Sequence, residues 1–229
     1  FSLSRFRELV ATLLREKPLA GHAESAPRAP CVLMYSHDTI GLGHMRRNSA
    51  IAARIVARDP RASVLMLVGS PSGVPFDLPP GVDYIKLPSL AKVARDVWRP
   101  QSLRITSGDV MSLRASLIEH AAESFRPDAM LIDHEPGGVW NELVPAFEGI
   151  RRASPHTRII LGLRDILDEP HLTQQVWEKR GTRDILRNFY DDILVYGDEA
   201  VFPTRQAYGL DALAPGHVQS CGYVTNFST

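Results

Sequence analysis

Two hydrophobic rhythms alternate along this chain. Short, nearly unbroken apolar runs fall at 31–36, 63–69, 82–87, 128–133, 158–163, 192–196 and 217–224, each the length of a strand and none long enough for a buried helix. Between them, apolar residues recur at helical spacing over 44–59, roughly 109–125, 138–153, 170–190 and about 200–208. Continuous apolar strands are buried on both faces, and amphipathic helices between them supply the cover. The pattern predicts a doubly wound, mostly parallel α/β sheet. Ligands of such sheets gather beyond the carboxyl ends of the strands, where the strand order reverses.

The first thirty residues follow a different rhythm. Leu3, Phe6, Leu9, Val10, Leu13 and Leu14 predict an amphipathic helix over 2–17, decorated by four basic and two acidic side chains. It is expected to pack on its own domain, on a neighbouring subunit or weakly on an anionic membrane surface. Residues 18–30 (PLAGHAESAPRAP) read as a linker, so the folded domain is expected over 31–226.

Composition narrows the function classes. A chain of 229 residues with 44% apolar and 23% charged side chains can bury one sizeable core, or two small ones, as a water-soluble protein. Lys+Arg and Asp+Glu both number 26, which argues against nucleic acid as a partner. Cys31 and Cys221 lie in apolar runs with no CxxC spacing, as buried free thiols of a cytoplasmic protein would. No run approaches a membrane span, and no secretory signal is visible. The chain starts at Phe1 rather than Met and stops just after a strand-like run, so it reads as a piece of a longer protein.

Chemistry collects where the sheet rule says it should. The first strand runs into Ser36-His37-Asp38-Thr39-Ile40-Gly41-Leu42-Gly43-His44-Met45-Arg46-Arg47 and then a helix. Gly41 and Gly43 would let the backbone turn and a ligand approach, and the helix N-terminus would offer free N–H groups to an anion. His44, in the first helical turn, is a candidate general base toward an acceptor hydroxyl or a donor to a phosphate oxygen. Arg46 and Arg47 place at least one guanidinium within reach of the same anion.

The fourth run ends in Asp133-His134-Glu135, where Asp133 or Glu135 could orient His44 or hold acceptor hydroxyls and His134 could contact substrate. The fifth ends in Arg164-Asp165, either an internal ion pair or a ligand-binding group. No P-loop signature and no GxSxG elbow is present, and the first loop departs from GxGxxG at His44. His37, Asp38 and His44 fit no common zinc spacing, so neither metal nor cofactor is expected.

The glycine loop Gly41-Leu42-Gly43-His44-Met45-Arg46-Arg47 resembles the GxGHxxR loop of GT-B glycosyltransferases. The group in question includes the undecaprenyl-linked N-acetylglucosaminyltransferase of peptidoglycan synthesis, bacterial predicted glycosyltransferases and the nucleotide-sugar hydrolase of pseudaminic acid synthesis. The run Cys221-Gly222-Tyr223-Val224-Thr225-Asn226 is similar to the strand closing their N-terminal domain. The resemblance implies a Rossmann-like, acceptor-binding N-terminal half of a metal-independent hexosyl transferase, with His44 near the diphosphate and acceptor. It implies a nucleotide-sugar donor bound by a C-terminal domain that this chain lacks, and a sugar, lipid-linked or small-molecule acceptor.

The fragment alone would then be inactive or nearly so. A nucleotide-sugar hydrolase would share the loop and use water as acceptor. A non-catalytic sugar- or nucleotide-binding module would survive replacement of His44 by Gln.

Overall fold

The computed structural model describes residues 28–36, 43–94, 97–213 and 217–224. The helix expected at 2–17, most of the linker, His37, Asp38, Gly41 and Thr225–Asn226 lie outside the described residues. Among the described residues there are nine strands: β1 (Cys31–Ser36), β2 (Ser63–Val68), β3 (Val82–Lys86), β4 (Leu90–Ala94), β5 (Val97–Pro100), β6 (Ala129–Asp133), β7 (Arg158–Arg164), β8 (Asp192–Tyr196) and β9 (His217–Ser220). The helices are α1 (Gly43–Arg58), α2 (Ser107–Phe125), α3 (Val144–Ala153), α4 (Pro170–Lys179), α5 (Thr182–Phe189), α6 (Thr204–Tyr208) and α7 (Leu210–Leu213).

Seven strands form one sheet in the order β3-β2-β1-β6-β7-β8-β9, every neighbouring pair parallel. The order runs outward in both directions from the β1–β6 pair, which makes that pair the switch point of a doubly wound sheet. In their register Ser36 sits beside Asp133, so the two strands end side by side.

Alternate side chains of β1 serve two cores. Leu33 and Tyr35 join Ile118, Met130, Ile132, Phe147 and Leu161 on one face. Val32 and Met34 meet Ile51, Ile55, Leu131 and Ile160 on the other, beneath α1. Both rows of each central strand are therefore apolar, which is why these strands read as unbroken runs.

Several boundaries differ from the sequence pattern, each for a local reason. The helix expected from 138 begins at Val144, because Gly138, Trp140 and Asn141 all have positive φ (69°, 51° and 63°) and form a 3₁₀ turn at Val139–Asn141. The helix expected over 170–190 is two, divided at Gly181, whose φ of 66° is left-handed. The segment at 200–208 is helical only from Thr204, after Pro203, and the last strand ends at Ser220. Helix α2 starts earlier than its apolar pattern, at Ser107. Thr106 Oγ1 accepts from the Asp109 N–H at 3.1 Å while Asp109 accepts from the Thr106 N–H at 3.3 Å, a capping box.

The antiparallel pair β4–β5 has no counterpart in the sequence pattern. Its strands are short and carry Lys92 and Arg99, so no apolar run marks them. It packs through Leu90 and Trp98 on Val110 and Val139, a small cluster separate from the two sheet cores. A buried ionic group fixes the loop after β6 to the sheet. Arg114 holds Glu142 through two contacts of 2.6 Å and donates to the Pro88 carbonyl, and Tyr35 donates to Glu142 at 2.6 Å.

Candidate active site at the carboxyl edge of the sheet

Helix α1 presents His44, Arg47 and Asn48 at i, i+3 and i+4, the spacing that shares one helix face. All three reach Asp133, the last residue of β6. His44 Nδ1 lies 2.6 Å from Asp133 Oδ2, Arg47 Nη2 donates to Oδ1 at 2.6 Å, and Asn48 Nδ2 donates to Oδ2 at 3.3 Å. Burial alone would raise the Asp133 carboxyl, but the His44 hydrogen bond and the charges of Arg47 and His44 outweigh it and hold it below its ordinary value. Asp133 is therefore a carboxylate.

That charge settles the tautomer of His44. Nδ1 carries the proton and donates to Asp133, and its 3.0 Å approach to Arg47 Nη2 is then a contact between two donors. Nε2 has no partner among the described residues. The side chain is 24% exposed, and the ring forms part of the wall of a cavity of about 370 Å³. A carboxylate-oriented imidazole facing a cavity is a proton acceptor whose cationic form has a counter-charge in place.

His134 follows Asp133 with a φ of 72° and its ring 5.4 Å from that of His44. Burial, with the positive charges of Arg164 and Arg47 and the neighbouring His44, lowers it to about 4 in spite of Asp133, so it is a neutral imidazole at physiological pH. Its buried Nδ1 has no hydrogen-bond partner.

The other expected site residues divide by what they touch. Arg47 is committed to Asp133 and stacks its guanidinium 4.9 Å from the centre of the Tyr196 ring, so it anchors the carboxylate rather than standing open to an anion. Arg46 is exposed and lies over Phe76 at 5.9 Å. Glu135 pairs with Arg180 at 3.2 Å on the cavity wall, and orienting His44 falls to Asp133.

Arg164 also lines the cavity and donates to the Leu167 carbonyl at 2.6 Å, while Asp165 accepts from Tyr223 at 2.8 Å. The Arg164–Asp165 ion pair considered from sequence does not form. Gly43 opens α1, and a Cβ there would meet no atom of the described residues within 4 Å. Crowding by the described residues does not require that glycine.

Two groups of residues escaped the sequence reading. Asn48 was discoverable, because it is one helical turn beyond His44. The aromatic wall was not, since Trp98, Trp140 and Trp177 come from β5, the 3₁₀ turn and α4. Trp140 holds a left-handed backbone (φ 51°, ψ 36°), a conformation costing a bulky residue about 1–2 kcal/mol. Among the described residues no group of three His, Cys, Asp or Glu is placed to hold a metal ion.

No protein-family model matches this sequence, and no curated protein matches it. Solved structures do. A putative UDP-N-acetylglucosamine 2-epimerase from Listeria monocytogenes superposes with a TM-score of 0.50 at 8% identity, covering 83% of this chain and 44% of its own. A second UDP-N-acetylglucosamine 2-epimerase gives 0.50 at 7% identity, with 80% and 45% covered. The fold is GT-B-like. Anabaena HepE, solved with UDP-glucose, has a TM-score of 0.42 at 14% identity and covers 84% of this chain and 44% of its own. This GT-B-like domain thus spans less than half the length of each of these structures. Among its described residues no helix is long and apolar enough to cross a membrane.

Proposed function

We propose that this GT-B-like domain is the acceptor-side half of a metal-independent glycosyltransferase, and that His44 is its general base. The observation that carries the reading is the Asp133–His44 pair, with His44 Nε2 unpartnered on a cavity wall at the switch point of the sheet. An acceptor hydroxyl donates to Nε2. As its oxygen bonds to the anomeric carbon of a nucleotide sugar, its proton passes to Nε2 and the bond to the nucleotide diphosphate breaks. Asp133 balances the imidazolium that forms, and Arg47 and Asn48 hold Asp133 in place. The donor would be bound by a second domain facing the cavity. A hydrolase would run the same step with water.

The test uses the protein with its donor-binding domain, a panel of UDP-, GDP- and dTDP-sugars, and EDTA. UDP-N-acetylglucosamine belongs in the panel because two of the similar structures are named for it. Nucleotide release followed by mass spectrometry should depend on an added acceptor. His44→Ala should lower it about 10²- to 10⁴-fold with donor binding intact. Release with water alone would mean a hydrolase, and binding without release would mean a binding module.

A further inference from the structure

Three features of the cavity bear on what the acceptor is, beyond its being a hydroxyl compound. All three tryptophans of the chain line it. Trp98 and Trp177 are 7% exposed and belong to packed clusters, whereas Trp140 is 42% exposed. A residue that gains little from burial and sits in a strained backbone is kept for something other than the core. Its indole offers the cavity a flat apolar face, the surface on which the C–H face of a pyranose ring stacks.

The charge lining the cavity is the second feature. Arg164 and Lys92 both contribute to its wall, and neither pairs with a carboxylate among the described residues. Lys92 holds its ammonium 5.6 Å from the centre of the Trp98 ring. The acidic groups on the same wall are engaged: Glu135 with Arg180, and Asp168 through the Glu169 N–H at 2.8 Å. The third feature is His134, which lines the same cavity 5.4 Å from the His44 ring and whose buried Nδ1 has no hydrogen-bond partner.

We infer that the cavity selects an acidic sugar, whose pyranose ring stacks on Trp140 and whose carboxylate or phosphate is held by Arg164 with Lys92. This rests on the acceptor-side reading of the same cavity. The anion would sit at Arg164 and Lys92, so that a ring hydroxyl can face His44 Nε2. Arg164 is suited to a planar or tetrahedral oxyanion because its guanidinium offers several donors, of which one is used by the Leu167 carbonyl.

The experiment is a binding titration of the 229-residue chain, followed by tryptophan fluorescence and repeated by calorimetry. The probes are methyl glucuronide, glucose 6-phosphate, methyl glucoside and inorganic phosphate. At least one of the two acidic sugars should bind ten-fold or more tightly than methyl glucoside, and which one does so names the acid. Arg164→Gln should erase that preference and leave the neutral sugar unchanged. Trp140→Ala should weaken every sugar ten-fold or more, while Trp140→Phe keeps most of the affinity.

Equal binding of acidic and neutral sugars, or no saturable binding of either acidic sugar, overturns the inference. So does phosphate alone binding as well as its sugar ester with Trp140→Ala without effect. None of these results touches the transferase reading, which stands or falls on acceptor-dependent nucleotide release.

Discussion

Asp133 is the residue on which the candidate chemistry and the local stability meet. Its carboxylate takes hydrogen bonds from His44, Arg47 and Asn48, and it is completely buried. Replacing it by Asn removes the carboxylate that pairs with the Arg47 guanidinium, 16% exposed, at a cost of about 3–5 kcal/mol. The same change removes the acceptor that fixes the His44 tautomer, so turnover should fall on the order of 10²- to 10⁴-fold. Chemical denaturation and the nucleotide-release assay measure the two effects separately.

His134 gives a pH signature of opposite origin. Its folded value of about 4 lies below the ordinary histidine value of 6.5, so the unfolded chain binds the proton more readily. Stability is present in full above about 6.5 and is lost as pH falls toward 4, by about 3 kcal/mol from this one group. Asp133, held low, adds its own loss only at still lower pH. His134→Asn, which tolerates the φ of 72°, should flatten the slope between pH 7 and 4 in denaturation midpoints. An unchanged slope would show that His134 is not the responsible group.

At the scale of elements, the segment between β6 and α3 is where local backbone preference and function diverge. Gly138 has φ 69° and ψ −163°, a region open essentially to glycine alone, and a Cβ there would lie 2.9 Å from Leu143 Cγ and 3.1 Å from the Tyr35 hydroxyl. Gly181 is also left-handed, but its Cβ would meet nothing within 4 Å. Gly138→Ala should therefore cost about 2–4 kcal/mol and Gly181→Ala about 1 kcal/mol. Urea midpoints of the two variants check the ranking, and equal losses would contradict it.

These two glycines also mark the limit of what hydrophobic spacing could tell. The apolar residues around 138–153 and 170–190 do recur at helical spacing, and nothing in that spacing registers a backbone that turns left-handed. The strands of the central sheet were legible because burial on both faces leaves a one-dimensional trace. The pairing of His44 with Asp133 was legible as one of two options, since a helix start and a strand end meet at the same edge of such a sheet. The choice between Asp133 and Glu135 was not, because it depends on the β1–β6 register and on Arg180, 45 residues further along the chain.

At the scale of the whole molecule, the sheet order brings two distant segments together at one edge, where α1 and the end of β6 meet through His44 and Asp133. The chain covers less than half of the structures it resembles. If the leaving nucleotide is held by a second domain, this chain alone should show no nucleotide release with any sugar donor. Adding the donor-binding domain should restore release, which the same mass-spectrometric assay reads. Turnover by the 229-residue chain alone would place the whole centre within it.

The β4–β5 pair rests on its own cluster of Leu90, Trp98, Val110 and Val139, yet it supplies Lys92 and Trp98 to the cavity wall. Support rests on Leu90 and Trp98, while Lys92 reaches the cavity without belonging to that cluster. A lineage, or a designer, could exchange residues 90–100 for another hairpin that keeps Leu90 and Trp98 as footings, and the seven-stranded sheet would register little of the change. The Asp133–His44 pair would stay where it is while the range of molecules presented to it drifted. Diversification of this scaffold should then be read first in that hairpin, and an exchange library confined to it is the place to look for altered acceptor preference.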